Sequence, residues 1–217
     1  PLLYWGAERY GEQRFADVAD AHAYTSLRLL MREDGWSIHG YEVDPDTGAP
    51  RGPSTIQGAA PTSPWARAQA WSIYGLLLCG RLTGRDHWTE KASTLCGSFI
   101  TQSVDGAAPW DFSLPEGSAT IVDTSASAIV CSAALAGAAD AATARKITDQ
   151  LVRWTGADHA GSGLLGGGCY FHAEQIGIDE PCAWGDYFWM EACARLSGLP
   201  VPYLSLIHIS EPTRPRL

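Results

Sequence analysis

The segment that begins at Pro64 places an arginine and a tryptophan four residues apart. Arg67 and Trp71 would share one face of a helix, because side chains four apart in a helix are neighbours. A planar cation beside an aromatic ring suits a ligand that has both a carboxylate and an apolar sugar face. The alternative is an arginine stem that packs over a core tryptophan. The spacing therefore indicates either a sugar-acid site or a packing contact.

Isolated polar residues and carboxylates flank this segment. His39, Thr55 and Gln57 stand in a loop rich in turn-forming residues. Each of them, taken alone, is expected to hydrogen-bond within the loop rather than to bind a ligand. Asp123 precedes an apolar run and is predicted to be a helix N-cap. Asp186 either caps a helix or, given its aromatic neighbours, takes part in binding.

The composition excludes several classes of protein. The chain has 217 residues, with 24 Asp or Glu against 15 Lys or Arg and a net charge of −9. This acidic balance disfavours a nucleic-acid partner, and no apolar run approaches the roughly 18 residues that a membrane span needs. The six cysteines lack the close pairs of a zinc site. We therefore predict free, buried thiols in a reducing, cytoplasmic compartment, with no metal or organic cofactor.

Periodic apolar residues predict an all-α chain with almost no strand alternation. The predicted helices cover residues 14–31, 64–81, 86–102, 124–138, 141–154 and 185–196. Long irregular segments separate them, chiefly residues 39–63 and 105–120. The glycine-rich stretch 161–168 has no lysine and no preceding strand, so a phosphate-binding loop is not expected there.

A short internal repeat joins pairs of these helices. Residues 10–15 match residues 83–88, and residues 195–198 repeat the lead-in 81–84. Each copy predicts a helix that ends at a glycine, a tight turn and a second helix with an aromatic residue in its first turn. Such hairpins must stack on neighbours to bury their faces, and their spacing is too irregular for a solenoid of short repeats. We therefore predict a closed ring of hairpins, an α/α toroid, of which the chain would supply somewhat more than half.

Seven segments, taken together and in order, resemble glycoside hydrolase family 88, the unsaturated glucuronyl hydrolases. They are Asp-Gly-Trp-Ser-Ile-His at 34–39, Asp-Pro-Asp-Thr-Gly at 44–48, Thr-Ile-Gln-Gly at 55–58, the stretch 65–71, Pro-Trp-Asp-Phe at 109–112, Asp-Thr-Ser-Ala at 123–126 and Trp-Gly-Asp-Tyr-Phe at 184–188. The resemblance implies an (α/α)6 toroid, present as a partial, N-terminally truncated catalytic domain over residues 1–203. Residues 204–217 resemble the translation of a common sequencing adapter, so we predict a disordered artefact there.

The resemblance implies an unusual hydrolase. Family members hydrate the C4–C5 double bond of the unsaturated uronic acid that polysaccharide lyases leave at the non-reducing end of an oligosaccharide. An Asp protonates C4 and activates the water that adds at C5; the hemiketal then opens and releases the remaining sugar. The implied partner is an unsaturated uronic-acid oligosaccharide, and a sulfated one is disfavoured because residues 167–173 lack the Ser and Lys cluster of members that recognise sulfate. The alternatives are an unsaturated rhamnogalacturonyl hydrolase and a non-catalytic sugar-binding toroid.

Six residues match positions that line the family's sugar-binding site: His39, Thr55, Gln57, Arg67, Trp71 and Trp184. By this resemblance, Arg67 would meet polar groups of the uronate and Trp71 would stack near its ring. No catalytic residue is assigned within the chain, because the family's catalytic Asp lies upstream of the stretch that matches residues 1–5. Asp123 and Asp186 match positions with other roles. The chain by itself is therefore expected to be inactive and poorly folded.

Overall fold

The computed structural model describes residues 1–114, 121–156, 158 and 161–201. Its α-helices are α1 (Leu2–Tyr10), α2 (Gln13–Leu30), α3 (Ala66–Thr83), α4 (Asp86–Gln102), α5 (Thr124–Ala133), α6 (Ala141–Leu151) and α7 (Ala183–Leu196). A π-helical turn, Ala134–Ala138, extends α5, and a 3-10 turn, Val152–Trp154, extends α6. All six predicted helices are confirmed, with ends within two residues of the prediction. Helix α1 was implied by the repeat at Gly11 but was not among the helices predicted from apolar periodicity, and the tail 204–217 lies outside the described residues.

Among the described residues, three small antiparallel hairpins interrupt the helices. They are β1 (Gly40–Val43) with β2 (Pro50–Ser54), β3 (Ala108–Pro109) with β4 (Val122–Asp123), and β5 (Gly168–Phe171) with β6 (Ile176–Glu180). The turn between β1 and β2 is closed by Asp44, whose Oδ1 accepts hydrogen bonds from the backbone N–H groups of Asp46 and Thr47. These strands are short, rich in glycine and proline, and partly exposed, so they carry no alternating pattern that a sequence can reveal.

The predicted helical hairpins are present. Gly11 ends α1 and Gly84 ends α3, both with φ of 66°, a left-handed conformation that glycine adopts without the Cβ penalty of other residues. Gly198 follows α7 with φ of 69°. The chain reverses after each of the first two glycines, and α1 packs on α2 as α3 packs on α4.

The core lies among α3, α4, α5 and α7. Every residue of α5 is buried, as expected for a helix that is surrounded on all sides. Its small residues allow α7 to approach closely: a Cβ added at Gly185 would come within 3.1 Å of the Ser125 Cβ. Larger side chains fill the other interfaces, and the largest fully buried ones include Trp88 and Phe99 of α4.

A buried carboxylate ties three of these helices together. Oε1 of Glu191 on α7 accepts hydrogen bonds from the Tyr74 hydroxyl of α3 at 2.8 Å and from the Ser132 hydroxyl of α5 at 2.5 Å. Arg195 Nη2 donates to the same oxygen at 2.9 Å. Burial, assisted by the Glu191 charge, raises the pKa of Tyr74 well above its usual range, so this hydroxyl stays a donor. The three helices are thus held in register at this level.

The outer side of α7 borders an apolar groove of about 600 Å³. Its lining includes Thr155, Leu164, Trp189, Met190, Cys193 and Leu199. Met190 and Leu199 are exposed there. None of the described helices is long and apolar enough to cross a membrane.

Candidate functional site

The first turn of α3 carries an arginine into the protein interior. Arg67 is 3% exposed and Asp123 is fully buried, and Arg67 Nη1 donates to Asp123 Oδ2 at 2.7 Å. The other carboxylate oxygen of Asp123 accepts from the Ser125 backbone N–H at 3.2 Å, so the predicted N-cap of α5 is confirmed. The same oxygen accepts from the Ser125 hydroxyl at 2.5 Å. Asp123 therefore has two roles, since it caps α5 and neutralises Arg67.

The guanidinium also holds a strand of the third hairpin. Arg67 Nη1 donates to the Cys169 carbonyl and Nη2 to the Tyr170 carbonyl, both at 2.6 Å. Its carbon lies 4.7 Å from the ring centre of Trp65 and 5.2 Å from that of Trp184. The sequence left open whether Arg67 packs on Trp71, and the rings that its guanidinium contacts are those of Trp65 and Trp184. Burial of the charged Arg67 guanidinium would be costly without hydrogen-bond partners. Here the Asp123 carboxylate and the two carbonyls of β5 supply them.

Trp71 occupies the next turn of α3 and faces outward. It is 41% exposed, and its ring contacts Phe188 of α7 edge-on with 5.3 Å between centroids. Phe188 is buried and also contacts Tyr74 at 5.0 Å. A large aromatic face is therefore presented on a rigid backing of two further rings.

His39 organises the loop that leads into α3. Its Nδ1 accepts from the backbone N–H groups of Ile56 at 3.0 Å and Gln57 at 3.2 Å, and it lies 3.2 Å from the Thr55 hydroxyl. An acceptor Nδ1 leaves the ring proton on Nε2. Burial, with a smaller contribution from Arg67, lowers the pKa of His39, so the neutral form is favoured. The Thr55 hydroxyl in turn accepts from the Gly58 N–H at 2.7 Å, which confirms the predicted loop-stabilising roles of both residues.

Gln57 and Trp184 complete the connections. Gln57 Nε2 donates to the Tyr170 carbonyl at 2.9 Å, so this carbonyl receives both Gln57 and Arg67. Trp184 Nε1 donates to the Ser125 hydroxyl at 2.9 Å, and its ring lies 5.3 Å from that of Tyr170. Five of the six predicted site residues therefore join one network, and Trp71 is linked to it through α7. Sequence reasoning missed Tyr170 and Ser125, whose positions only the tertiary fold reveals.

The remaining carboxylates near this network are already engaged. Asp111 is fully buried and accepts four hydrogen bonds, from the backbone N–H groups of Ala59 and Ser113 and the hydroxyls of Ser63 and Ser113. Asp186 does not cap a helix. Its Oδ1 accepts from the backbone N–H groups of Leu164 and Leu165, both at 3.0 Å. Both carboxylates hold loops in place.

The thiols offer no nucleophile. Burial, assisted by Asp123, raises the pKa of Cys169 to about 12, and burial raises that of Cys182 to about 11. Both thiols are protonated at neutral pH and weakly reactive. All six cysteines are free, but Cys193 is exposed, so the prediction of buried thiols is wrong at that position. Among the described residues, no three His, Cys, Asp or Glu side chains are grouped so that they could hold a metal ion.

Known proteins resemble this chain in sequence and in structure. It is 34% identical over 210 residues to an unsaturated glucuronyl hydrolase of Bacillus sp. (strain GL1), and the alignment covers 90% of this chain and 56% of the relative. It is 31% identical over 212 residues to an unsaturated chondroitin disaccharide hydrolase of Streptococcus pyogenes serotype M1, and this alignment covers 89% of the chain and 52% of the relative. The crystal structure of the Bacillus sp. GL1 enzyme matches with a TM-score of 0.82, over 90% of this chain and 56% of that one. No model of a known protein family matches the sequence.

The helical hairpins and these similarities define the chain as part of an α/α toroid, which confirms the predicted fold class. More narrowly, relatives that match about 90% of its length at 31–34% identity are an unsaturated glucuronyl hydrolase and an unsaturated chondroitin disaccharide hydrolase, in agreement with the predicted resemblance. It spans about half the length of the curated relatives it matches.

Proposed function

We propose that the protein containing this chain hydrolyses oligosaccharides that carry an unsaturated uronic acid at the non-reducing end, by hydrating the C4–C5 double bond. The observation that carries the proposal is the network in which Arg67 and Gln57 bind the Tyr170 carbonyl and Trp184 contacts the Tyr170 ring, in a chain one-third identical to an unsaturated glucuronyl hydrolase. Relatives called unsaturated chondroitin disaccharide hydrolases support the same substrate class.

We infer that the six residues that the resemblance selects form the sugar-binding site, either by contact with the sugar or by holding the residues that make it: His39, Thr55, Gln57, Arg67, Trp71 and Trp184. Trp71 offers an exposed ring on which a sugar face can stack. The His39 Nε2–H is a donor whose direction is fixed by the bonds at Nδ1. Arg67 donates to Asp123 and to the carbonyls of Cys169 and Tyr170, so its part is to fix the hairpin that borders the site. Trp184 holds the start of α5 through the Ser125 hydroxyl, and Thr55 holds its own loop through the Gly58 N–H.

The proton transfer is assigned to a carboxylate outside residues 1–217. Asp111, Asp123 and Asp186 each accept hydrogen bonds from buried or backbone groups that they hold in place. A carboxylate bound in this way is poorly suited to giving and taking a proton in each turnover. This assignment agrees with the upstream catalytic Asp that the resemblance implies.

An ultraviolet assay of the longest reading frame that contains this chain tests the proposal. Hydration removes the conjugated double bond, so absorbance falls on an unsaturated glucuronyl disaccharide, and more slowly on an unsaturated rhamnogalacturonyl disaccharide. Faster loss on the latter would favour the alternative hydrolase, and no loss on either would overturn the proposal. A fluorescence titration with the same sugars would then detect the non-catalytic sugar-binding toroid. The same assay can compare the unsaturated chondroitin disaccharide in its unsulfated and sulfated forms. We expect the unsulfated form to react faster.

We propose a cytoplasmic location for this protein. The six free cysteines support it, because a reducing compartment preserves thiols. Fractionation of the source cells, followed by detection with an antibody, would test it.

A further inference from the structure

Four side chains form a ladder that alternates between α3 and α7. Trp71 and Tyr74 are three residues apart on α3, so they share one face of that helix. Phe188 and Glu191 have the same spacing on α7. The Phe188 ring contacts Trp71 at 5.3 Å and Tyr74 at 5.0 Å between centroids, and the Tyr74 hydroxyl donates to Glu191 Oε1 at 2.8 Å. The ladder therefore crosses between the two helices at each step.

This ladder leads from the protein surface into the core. Trp71 is 41% exposed, Phe188 and Tyr74 are each 7% exposed, and Glu191 is 5% exposed. The inner end is fixed by polar contacts, because Glu191 Oε1 accepts two further hydrogen bonds, from side chains of α5 and α7. The exposed ring is thus connected to an anchor that cannot readily move.

Phe188 is the residue on which the exposed ring rests. Three rings meet it edge-on: Trp71 with an interplanar angle of 67°, Tyr74 with 77° and Tyr187 with 85°. Edge-to-face contact is a preferred geometry for aromatic pairs, so a ring held from three directions has little freedom to turn. A leucine at this position would fill part of the volume but would offer no ring.

The outer end of the ladder is a residue of the proposed sugar site. An exposed side chain is ordinarily free to change rotamer, and ordering it when a ligand binds costs free energy. A Trp71 ring that is already held against Phe188 avoids this cost. Ordinary core packing of Phe188 and such a role in binding predict different effects on substrate affinity.

We propose that Phe188 is a positioning residue, which holds the Trp71 ring in the orientation that stacks on the unsaturated uronic acid. This inference rests on the proposed function, in which Trp71 offers its ring to the sugar. Phe188 is buried and touches neither the sugar nor the reacting double bond, so it acts only through Trp71. Its contribution to binding should therefore vanish when Trp71 is removed.

A double-mutant cycle in the longest reading frame that contains the chain tests this dependence. We expect Phe188→Leu to raise KM for an unsaturated glucuronyl disaccharide about two- to ten-fold with kcat little changed, because Trp71 must then be ordered when the sugar binds. In the Trp71→Ala background, the same substitution should leave KM unchanged. Tyr74→Phe keeps the ring but removes the bond to Glu191, so it should raise KM by a smaller factor.

Phe99→Leu is the matched control for a general loss of packing. Phe99 is fully buried on α4 and contacts Phe112 edge-on at 5.2 Å, so its loss should lower the melting temperature without changing KM. If Phe188→Leu does not fold, Tyr74→Phe takes its place in the cycle. The role of Phe188 would be overturned by an unchanged KM, by the same rise in KM with and without Trp71, or by an equal rise from Phe99→Leu.

Fluorine NMR separates this role from the proposed function. In protein labelled with fluorotryptophan, the signal of Trp71 is the one that Trp71→Phe removes. We expect Phe188→Leu to shift this signal and change its width, and Phe99→Leu to leave it in place. An unaffected Trp71 signal in Phe188→Leu would overturn the positioning role. Inactivity of the unchanged protein would overturn the proposed function, and the fluorine signal would still decide whether Phe188 holds Trp71.

Discussion

Arg67 and Asp123 form a buried ion pair whose members depend on each other. We expect Arg67→Met to lower the free energy of unfolding by about 3–5 kcal/mol, because it leaves the Asp123 charge buried without its partner. The double variant R67M/D123N should recover part of this loss, since it removes both charges and asparagine still caps α5. Urea unfolding of the single and double variants measures both values. Strictly additive losses in the double-mutant cycle would contradict the dependence.

His39 gives the site a defined response to acid. Its pKa in the folded protein is below the ordinary value of 6.5, so the unfolded chain binds the proton more readily. The contribution of His39 to stability is therefore complete above pH 6.5 and is lost as the pH falls from there towards the folded pKa. Protonation at Nδ1 would also break the bonds from Ile56 and Gln57.

The variant His39→Asn isolates this response. The asparagine oxygen can accept at the Nδ1 position but does not titrate, so we expect a smaller loss of unfolding free energy than in the unchanged protein between about pH 7.5 and about pH 5.5. Urea unfolding at the two pH values measures it, and the other histidines contribute equally to both proteins. The same pH dependence in both would show that His39 is not responsible.

The family resemblance selected the candidate site residues, but neither it nor their spacing predicted what they contact. The helical repeat places Arg67 on a face of α3, yet its partners Asp123, Cys169 and Tyr170 follow 56, 102 and 103 residues later. Periodicity reports on neighbours within one helix, whereas such partners depend on how the helices pack. For this reason the sequence could not predict the inward turn of Arg67 or its partners on β4 and β5.

At the scale of elements, two glycines of α3 have opposite roles. A Cβ added at Gly80 would come within 3.1 Å of the Thr89 backbone nitrogen on α4, and closer still to the Thr89 hydroxyl. We expect Gly80→Ala to lower the free energy of unfolding by about 1–3 kcal/mol, because α3 and α4 must separate to admit the methyl group. Thermal unfolding or urea titration measures the change.

Gly75 supplies the matched control in the same helix. A Cβ added there meets no atom within 4 Å. Alanine is the better helix former, so Gly75→Ala should raise the free energy of unfolding by about 0.5–1 kcal/mol. Equal effects at the two positions would mean that the α3–α4 contact does not limit the packing.

Helices were easier to anticipate than strands for a physical reason. The long helices, such as α4 (Asp86–Gln102), contain several apolar repeats, and glycine caps mark the ends of α1 and α3. The hairpin strands have five residues or fewer and draw their stability from neighbouring helices and loops. Apolar periodicity did not reveal α1, which only the repeat at Gly11 implied, because only Gly6 of its nine residues is buried.

For the molecule as a whole, the apolar groove beside α7 predicts self-association. Residues 1–203, expressed alone, should form oligomers as the concentration rises, because the groove leaves Met190 and Leu199 exposed. Met190→Glu places a charge in the groove and should reduce association several-fold, as measured by light scattering. Val104→Glu changes a valine that is 74% exposed and lies outside the groove lining, and it should have little effect. A monomer at all concentrations would contradict this prediction.

The bonds that Arg67 makes across the chain also set an order of events during synthesis. A ribosome adds roughly 5–20 residues per second, so several seconds separate the appearance of Arg67 from that of Cys169 and Tyr170. Asp123 emerges about halfway through this interval and can neutralise the guanidinium first. The nascent chain must therefore keep this charge hydrated, or paired with Asp123 alone, until the hairpin arrives. The hairpin that Arg67 anchors is in consequence among the last parts of the chain to be assembled.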